Sequence, residues 1–156
     1  MNNYILEYYQ AIKSGDIVAG SWIIKWYERV VNGLEEGLFF YDPKKAARAI
    51  KFVEMFARHH EGPKAPGPLV LELWQKALVS CIFGIVDDTG SRQFREIFIQ
   101  MGRKNGKTLL AASLAELCLF ADGEYGGRVY FCAPKLDQSR LCFNAFQQML
   151  MKEPEL

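Results

Sequence analysis

The sequence predicts an α/β fold: a helical N-terminal subdomain, then the first part of a parallel sheet that is incomplete in this chain. Three observations carry this reading. Before residue 61, apolar residues recur at helical spacing. After residue 69, helical and strand-like patterns alternate, which calls for parallel strands joined by right-handed crossovers. Finally, the apolar run from Phe94 to Met101 leads through Gly102-Arg103-Lys104-Asn105-Gly106 into Lys107-Thr108 and an apolar helix. That strand, turn and helix order is the layout of a phosphate-binding loop.

In order along the chain, residues 1–61 form the helical region, 62–68 a linker, and 69–156 the N-terminal part of the P-loop domain. Tyr4 to Lys13 is one short helix, broken at Ser14-Gly15-Asp16. Ser21 to Leu34 places Trp22, Ile23, Trp26, Val30 and Val31 at helical spacing, and its aromatics read as core packing. Asp42-Pro43 opens a third helix, with aspartate as N-cap and proline at the first helical position. Its apolar face is Ala46, Ile50, Val53 and Ala57. The linker Gly62-Pro63-Lys64-Ala65-Pro66-Gly67-Pro68 follows.

Downstream, Leu69 to Phe83 is helical, with Leu71, Trp74, Leu78 and Cys81 on one face. Phe94 to Met101 is a strand, Lys107 to Phe120 a helix, and Arg128 to Cys132 a second strand. Asp122-Gly123 and Gly126-Gly127 make turns around Glu124 and Tyr125. Asp137 to Met151 closes the pattern as a helix with Leu141, Ala145 and Met149 inward. Parallel strands are buried on both faces and need neighbours. Two such strands are too few, so the chain is expected to be the front part of something larger, ending past a helix at Met151 to Leu156.

The loop carries the chemistry. Backbone N–H groups at a helix start bind the β-phosphate, the lysine neutralises β/γ oxygens, and the threonine hydroxyl ligates Mg²⁺. Lys107, Thr108 and Gly106 fill those roles, with Gly102, Arg103, Lys104 and Asn105 in the turn. ATP and Mg²⁺ are the cofactors that follow. The standard pattern has glycine four residues before the Gly-Lys pair; here Met101 stands there and Gly102 comes one place late.

Composition sets bounds. Half of the 156 residues are hydrophobic and 24% are charged, a globular rather than a disordered balance. A net charge of +1 excludes a strongly basic surface overall, although the stretch from Arg92 to Lys107 holds five cations. The four cysteines lack Cys-x-x-Cys spacing and lie in apolar runs, which predicts buried free thiols in a reducing compartment. His59 and His60 are adjacent, so on a helix they point about 100° apart and do not share a metal. No apolar stretch spans a membrane, and the N-terminus lacks the basic start and apolar core of a signal peptide. A cytoplasmic protein is expected.

Trp74-Gln75, followed at a distance by Arg103-Lys104-Asn105-Gly106-Lys107-Thr108, resembles the large subunit of tailed-phage terminases, the ATPase of the DNA-packaging motor. The resemblance also covers the stretch from Ile12 to Gly20, Ile82-Phe83-Gly84, and Ala133-Pro134-Lys135-x-Asp137-Gln138-Ser139. In that family an Arg-Lys-Asn-Gly-Lys-Ser/Thr loop commonly replaces the glycine-rich form, so Met101 is the expected departure. The resemblance implies that Gln75 lies near adenine, where a carboxamide offers both a donor and an acceptor. Trp74 is either a wall for the base or a core tryptophan. Arg103 matches the loop arginine that senses or stabilises the γ-phosphate; the other reading is that Arg103 and Lys104 only raise the local potential.

The resemblance further implies a bacterial host cytoplasm, a homo-oligomeric ring, and double-stranded DNA, a portal protein and a small terminase subunit as partners of the complete protein. Hydrolysis in such motors needs an apolar strand ending in Asp-Glu after the loop. None follows Thr108: Ile85-Val86-Asp87-Asp88 precedes the loop, and Asp122-Gly123-Glu124 sits at a helix end. A nuclease region is also absent. The chain alone is therefore expected to bind ATP without efficient turnover. Two alternatives stand beside this reading: another small P-loop nucleoside triphosphatase or kinase, and a non-enzymatic truncated prophage remnant serving as an interaction module.

Overall fold

The computed structural model describes residues 2–123 and 125–152. Glu124, assigned above to a turn, and residues 153–156, assigned to the close of the chain, lie outside the described residues. The architecture is mixed and compatible with the α/β class. Its elements are α1 (Tyr4–Ser14), α2 (Ser21–Glu35), β1 (Phe40–Tyr41), α3 (Pro43–Phe56), α4 (Leu73–Gly84), β2 (Ile85–Val86), α5 (Lys107–Phe120) and α6 (Leu136–Leu150). They divide into two compact units, Met1–Ile50 with Leu71–Phe98, and Lys51–Val70 with Ile99–Leu156.

In the first unit, local chemistry sets the helix ends. The Asn3 side chain accepts the Leu6 N–H at 3.2 Å and starts α1. Gly15, at φ 84°, ends it by donating its N–H to Ile12 O. Asp42 Oδ1 accepts the N–H groups of Lys44 and Lys45 at 2.9 and 3.1 Å, the cap expected ahead of Pro43. α4 begins four residues later than its apolar pattern suggests. Glu72 is extended, and it forms a reciprocal capping box with Gln75 that fixes the helix start at Leu73.

α4 packs against α1, which also packs against α2. Ile5, Tyr8 and Ile12 of α1 meet Tyr27, Val30 and Val31 of α2, with Ala77, Cys81 and Ile85 completing the cluster. α4 is buried nearly all round from Ala77 to Gly84, as befits the central helix of a unit. Trp22 departs from its expected core role: it is 81% exposed, while Tyr27 takes the buried position on α2.

The sheet also departs from expectation. β1 and β2 pair antiparallel, Phe40 with Val86 and Tyr41 with Ile85. The chain then turns back at Asp87, whose carboxylate accepts the Thr89 hydroxyl at 2.6 Å and the Thr89 and Ser91 N–H groups. These contacts hold the Asp87 carboxyl below its ordinary range, the Thr89 hydroxyl contributing most. The two segments read as parallel strands, 94–101 and 128–132, carry no regular secondary structure. A strand exists only through lateral hydrogen bonds, and none of the described residues supplies the neighbours that two parallel strands require.

In the second unit, α5 packs along α6. Phe131, from the second expected strand, meets Phe143 and Phe146 of α6 at ring distances of 6.2 and 5.9 Å. The buried stripe of α6 is Ala145, Phe146 and Met149; Leu141, read as inward, is 63% exposed. Residues 58–68 fold back on themselves, with an antiparallel bridge between Arg58 and Pro68 and the His59 N–H on Gly67 O. The four cysteines are free, but only Cys81 is buried and Cys132 is exposed. The apolar run that suggested burial at Cys132 has no sheet to pack into among the described residues. No helix among the described residues is long and apolar enough to cross a membrane.

Candidate functional site, the glycine-lysine loop at the start of α5

The loop's shape follows from two left-handed residues. Lys104 has φ 64° and Gly106 has φ 71°. The chain turns across residues 103–106 and enters α5 at Lys107. Gly106 is the N-cap, and no side chain caps the helix start. The first-turn N–H groups are thus left to an external acceptor, with the positive end of the helix dipole behind them.

Gly102 answers to a different constraint. A Cβ there would stand 3.3 Å from Asn105 Nδ2, so the loop's two arms close on each other at that point. Met101, in the place of the standard first glycine, needs no left-handed backbone, since Lys104 is the only described non-glycine residue with positive φ. What position 101 supplies is a carbonyl: Lys107 Nζ donates to Met101 O at 2.9 Å. The ammonium is thereby folded over the loop it is expected to serve. Arg103, Lys104, Asn105, Gly106 and Lys107 are all exposed, and Thr108 and Leu109 are half-buried.

Unsatisfied helix-start donors, a folded-over ammonium and a threonine hydroxyl in the first turn make a donor set that fits a polyphosphate with its cation. The residues present fit ATP and Mg²⁺ on chemistry, with Lys107 and the backbone from Gly102 to Thr108 toward phosphate and the Thr108 hydroxyl toward the metal.

Trp74 and Gln75 belong to the first unit and the loop to the second. Trp74 is half-buried and packs against the core cluster of its unit. Gln75 is buried, and its Oε1 accepts the Glu72 N–H at 2.8 Å. The planar carboxamide is thereby oriented, its oxygen committed to the helix cap. His60 Nε2 lies 3.7 Å from Glu61 Oε1, and among the described residues no group of three or more His, Cys, Asp or Glu is placed to hold a metal ion.

One contact escaped the sequence reading. Cys142 Sγ on α6 donates to Thr108 O at 3.8 Å. A signal for it existed: positions 142, 145, 146 and 149 form a helical stripe, one residue round the helix from the stripe through Leu141. The stripe was ambiguous because Leu141 is the more apolar residue.

A family model described as the terminase large subunit, ATPase domain, matches residues 73–156, from the first residue of α4 through the loop and α6. No curated protein and no solved structure matches the chain. The match covers just over half of the 156 residues, and the chain belongs to the family of terminase large subunit ATPase domains.

Proposed function

We propose that this chain is the ATP-binding N-terminal portion of a phage terminase large subunit, whose complete form packages double-stranded DNA into procapsids from the bacterial cytoplasm. The observation that carries the reading is the loop from Met101 to Thr108. Its left-handed Gly106 opens an uncapped helix start, flanked by Arg103, Lys104 and Lys107. Lys107 exchanges its bond to Met101 O for the β/γ-phosphate oxygens. Gly102 and Gly106 let the backbone approach, and the Thr108 hydroxyl faces Mg²⁺. Arg103, exposed at the turn, reaches the γ-phosphate side with its planar fork of donors. Gln75 is assigned to adenine by the resemblance alone. Bound ATP supplies the phosphoanhydride energy that moves DNA.

In the complete motor, residues 94–101 and 128–132 are strands of a parallel P-loop sheet. Portal protein, a small terminase subunit and further copies of the chain in a ring are its partners.

Thermal unfolding with and without Mg²⁺-ATP, beside Lys107→Ala, tests the proposal. Ligand at a hundredfold excess over Kd adds about 2.7 kcal/mol, a shift of roughly 5–10 °C at this length. The shift is expected in the wild-type chain and lost in the variant. Equal shifts in both would sink the assignment of the loop.

A further inference from the structure

Within the second unit, a sulfur contact joins the first turn of α5 to α6, Cys142 Sγ to Thr108 O at 3.8 Å. Cys142 is half-buried, and its thiol is placed to donate to the Thr108 carbonyl. The remainder of the stripe, Ala145, Phe146 and Met149, is buried, and α6 packs along α5. A carbonyl oxygen has two lone pairs. Thr108 O takes its ordinary helical bond from four residues on and still accepts the thiol, which therefore does not unwind the helix. What the thiol restrains is the peptide plane that follows the Thr108 side chain. That plane carries the Leu109 N–H, a first-turn donor, and is bonded directly to the Thr108 Cα that bears the hydroxyl.

Resting on the nucleotide reading above, we infer that Cys142 is a positioning residue for the Mg²⁺-nucleotide site, its thiol holding Thr108 and the start of α5 in the orientation that phosphate and metal require. It touches neither ligand; it acts through Thr108. Cys142→Ala removes the donor, and Cys142→Ser keeps one of similar size. Losing one weak hydrogen bond to a positioning carbonyl is expected to weaken Mg²⁺-ATP binding about threefold. The serine variant is expected to recover most of that loss. The effect is expected to shrink for ATP in EDTA, where the Thr108 hydroxyl has no metal to hold.

A second readout needs no turnover. The alkylation rate of each cysteine by iodoacetamide, followed by peptide mass spectrometry, is expected to fall at Cys142 when Mg²⁺-ATP stiffens the first turn of α5. Exposed Cys132 serves as the internal reference, with an unchanged rate. All measurements use the full chain. A wild-type shift that is lost in Lys107→Ala but equal in both Cys142 variants, with Cys142 alkylation insensitive to nucleotide, overturns the positioning role alone. A wild-type chain that shows no Mg²⁺-ATP shift overturns the nucleotide reading and the inference with it.

Discussion

Lys104 carries a conformational cost at the point where the loop ahead of α5 turns. At φ 64° it occupies the left-handed region, which costs a residue with a Cβ about 1–2 kcal/mol. Gly106, two residues on at φ 71°, meets the same geometry without that cost, and nothing lies within 4 Å of where its Cβ would be. The two positions therefore predict opposite signs. Lys104→Gly is expected to raise the stability of the nucleotide-free chain by up to about 1 kcal/mol, relief of strain being partly offset by glycine's entropy. Gly106→Ala is expected to lower it by about 1–2 kcal/mol, purely through backbone strain. Melting temperatures decide, and a rise for both or a fall for both would contradict the loop conformation. At this scale Gly106 was legible in the Gly-Lys-Thr triplet. Lys104 was not, because its side chain gives no sign of an unusual φ that its neighbours impose.

At the scale of elements, ends were readable where a side chain bonds its own backbone. Asp42 caps α3 as expected, and α5 runs from Lys107 to Phe120 as the pattern says. The start of α4 was misplaced because apolar periodicity continues through Leu69 and Leu71, both buried, while the capping box at Glu72 sets the true start. That box makes a prediction. Gln75→Ala is expected to lower the stability of the nucleotide-free chain by about 1 kcal/mol, the usual cost of a lost cap bond. Denaturant unfolding without ATP measures this, and it separates the cap from any role toward adenine. Residues 94–101 and 128–132 show the opposite failure. Their strand propensity is sound, but an extended segment becomes a strand only when another backbone lies alongside it.

For the molecule as a whole, a deeply buried thiol of the first unit contributes to its response to pH. Burial pushes the Cys81 thiol up to about 12, and burial likewise raises the neighbouring Tyr27 phenol. An acid whose folded pKa is raised contributes stability that is full below its unfolded pKa, near 8.5 for a thiol, and is lost as pH rises toward the folded value. The melting temperature is therefore expected to fall as pH rises above about 8.5. Cys81→Ala is expected to start lower, because a small cavity opens, and to fall less steeply between pH 8.5 and 10. Parallel slopes for the two chains would show that Cys81 does not ionise on unfolding in that range.

The sequence by itself determined the helices, the cap at Asp42, the Gly-Lys-Thr loop and the family to which those residues belong. All of these depend on contacts within a few residues along the chain, where spacing and side-chain type decide. Tertiary structure alone decided that Ile85 pairs with Tyr41, that Trp22 lies outside and Tyr27 inside, and that Cys142 rather than Leu141 faces Thr108. Each of those joins residues more than a dozen positions apart or chooses between adjacent faces of one helix. Such choices depend on which surfaces meet, and hydrophobic burial has no preferred direction until they do.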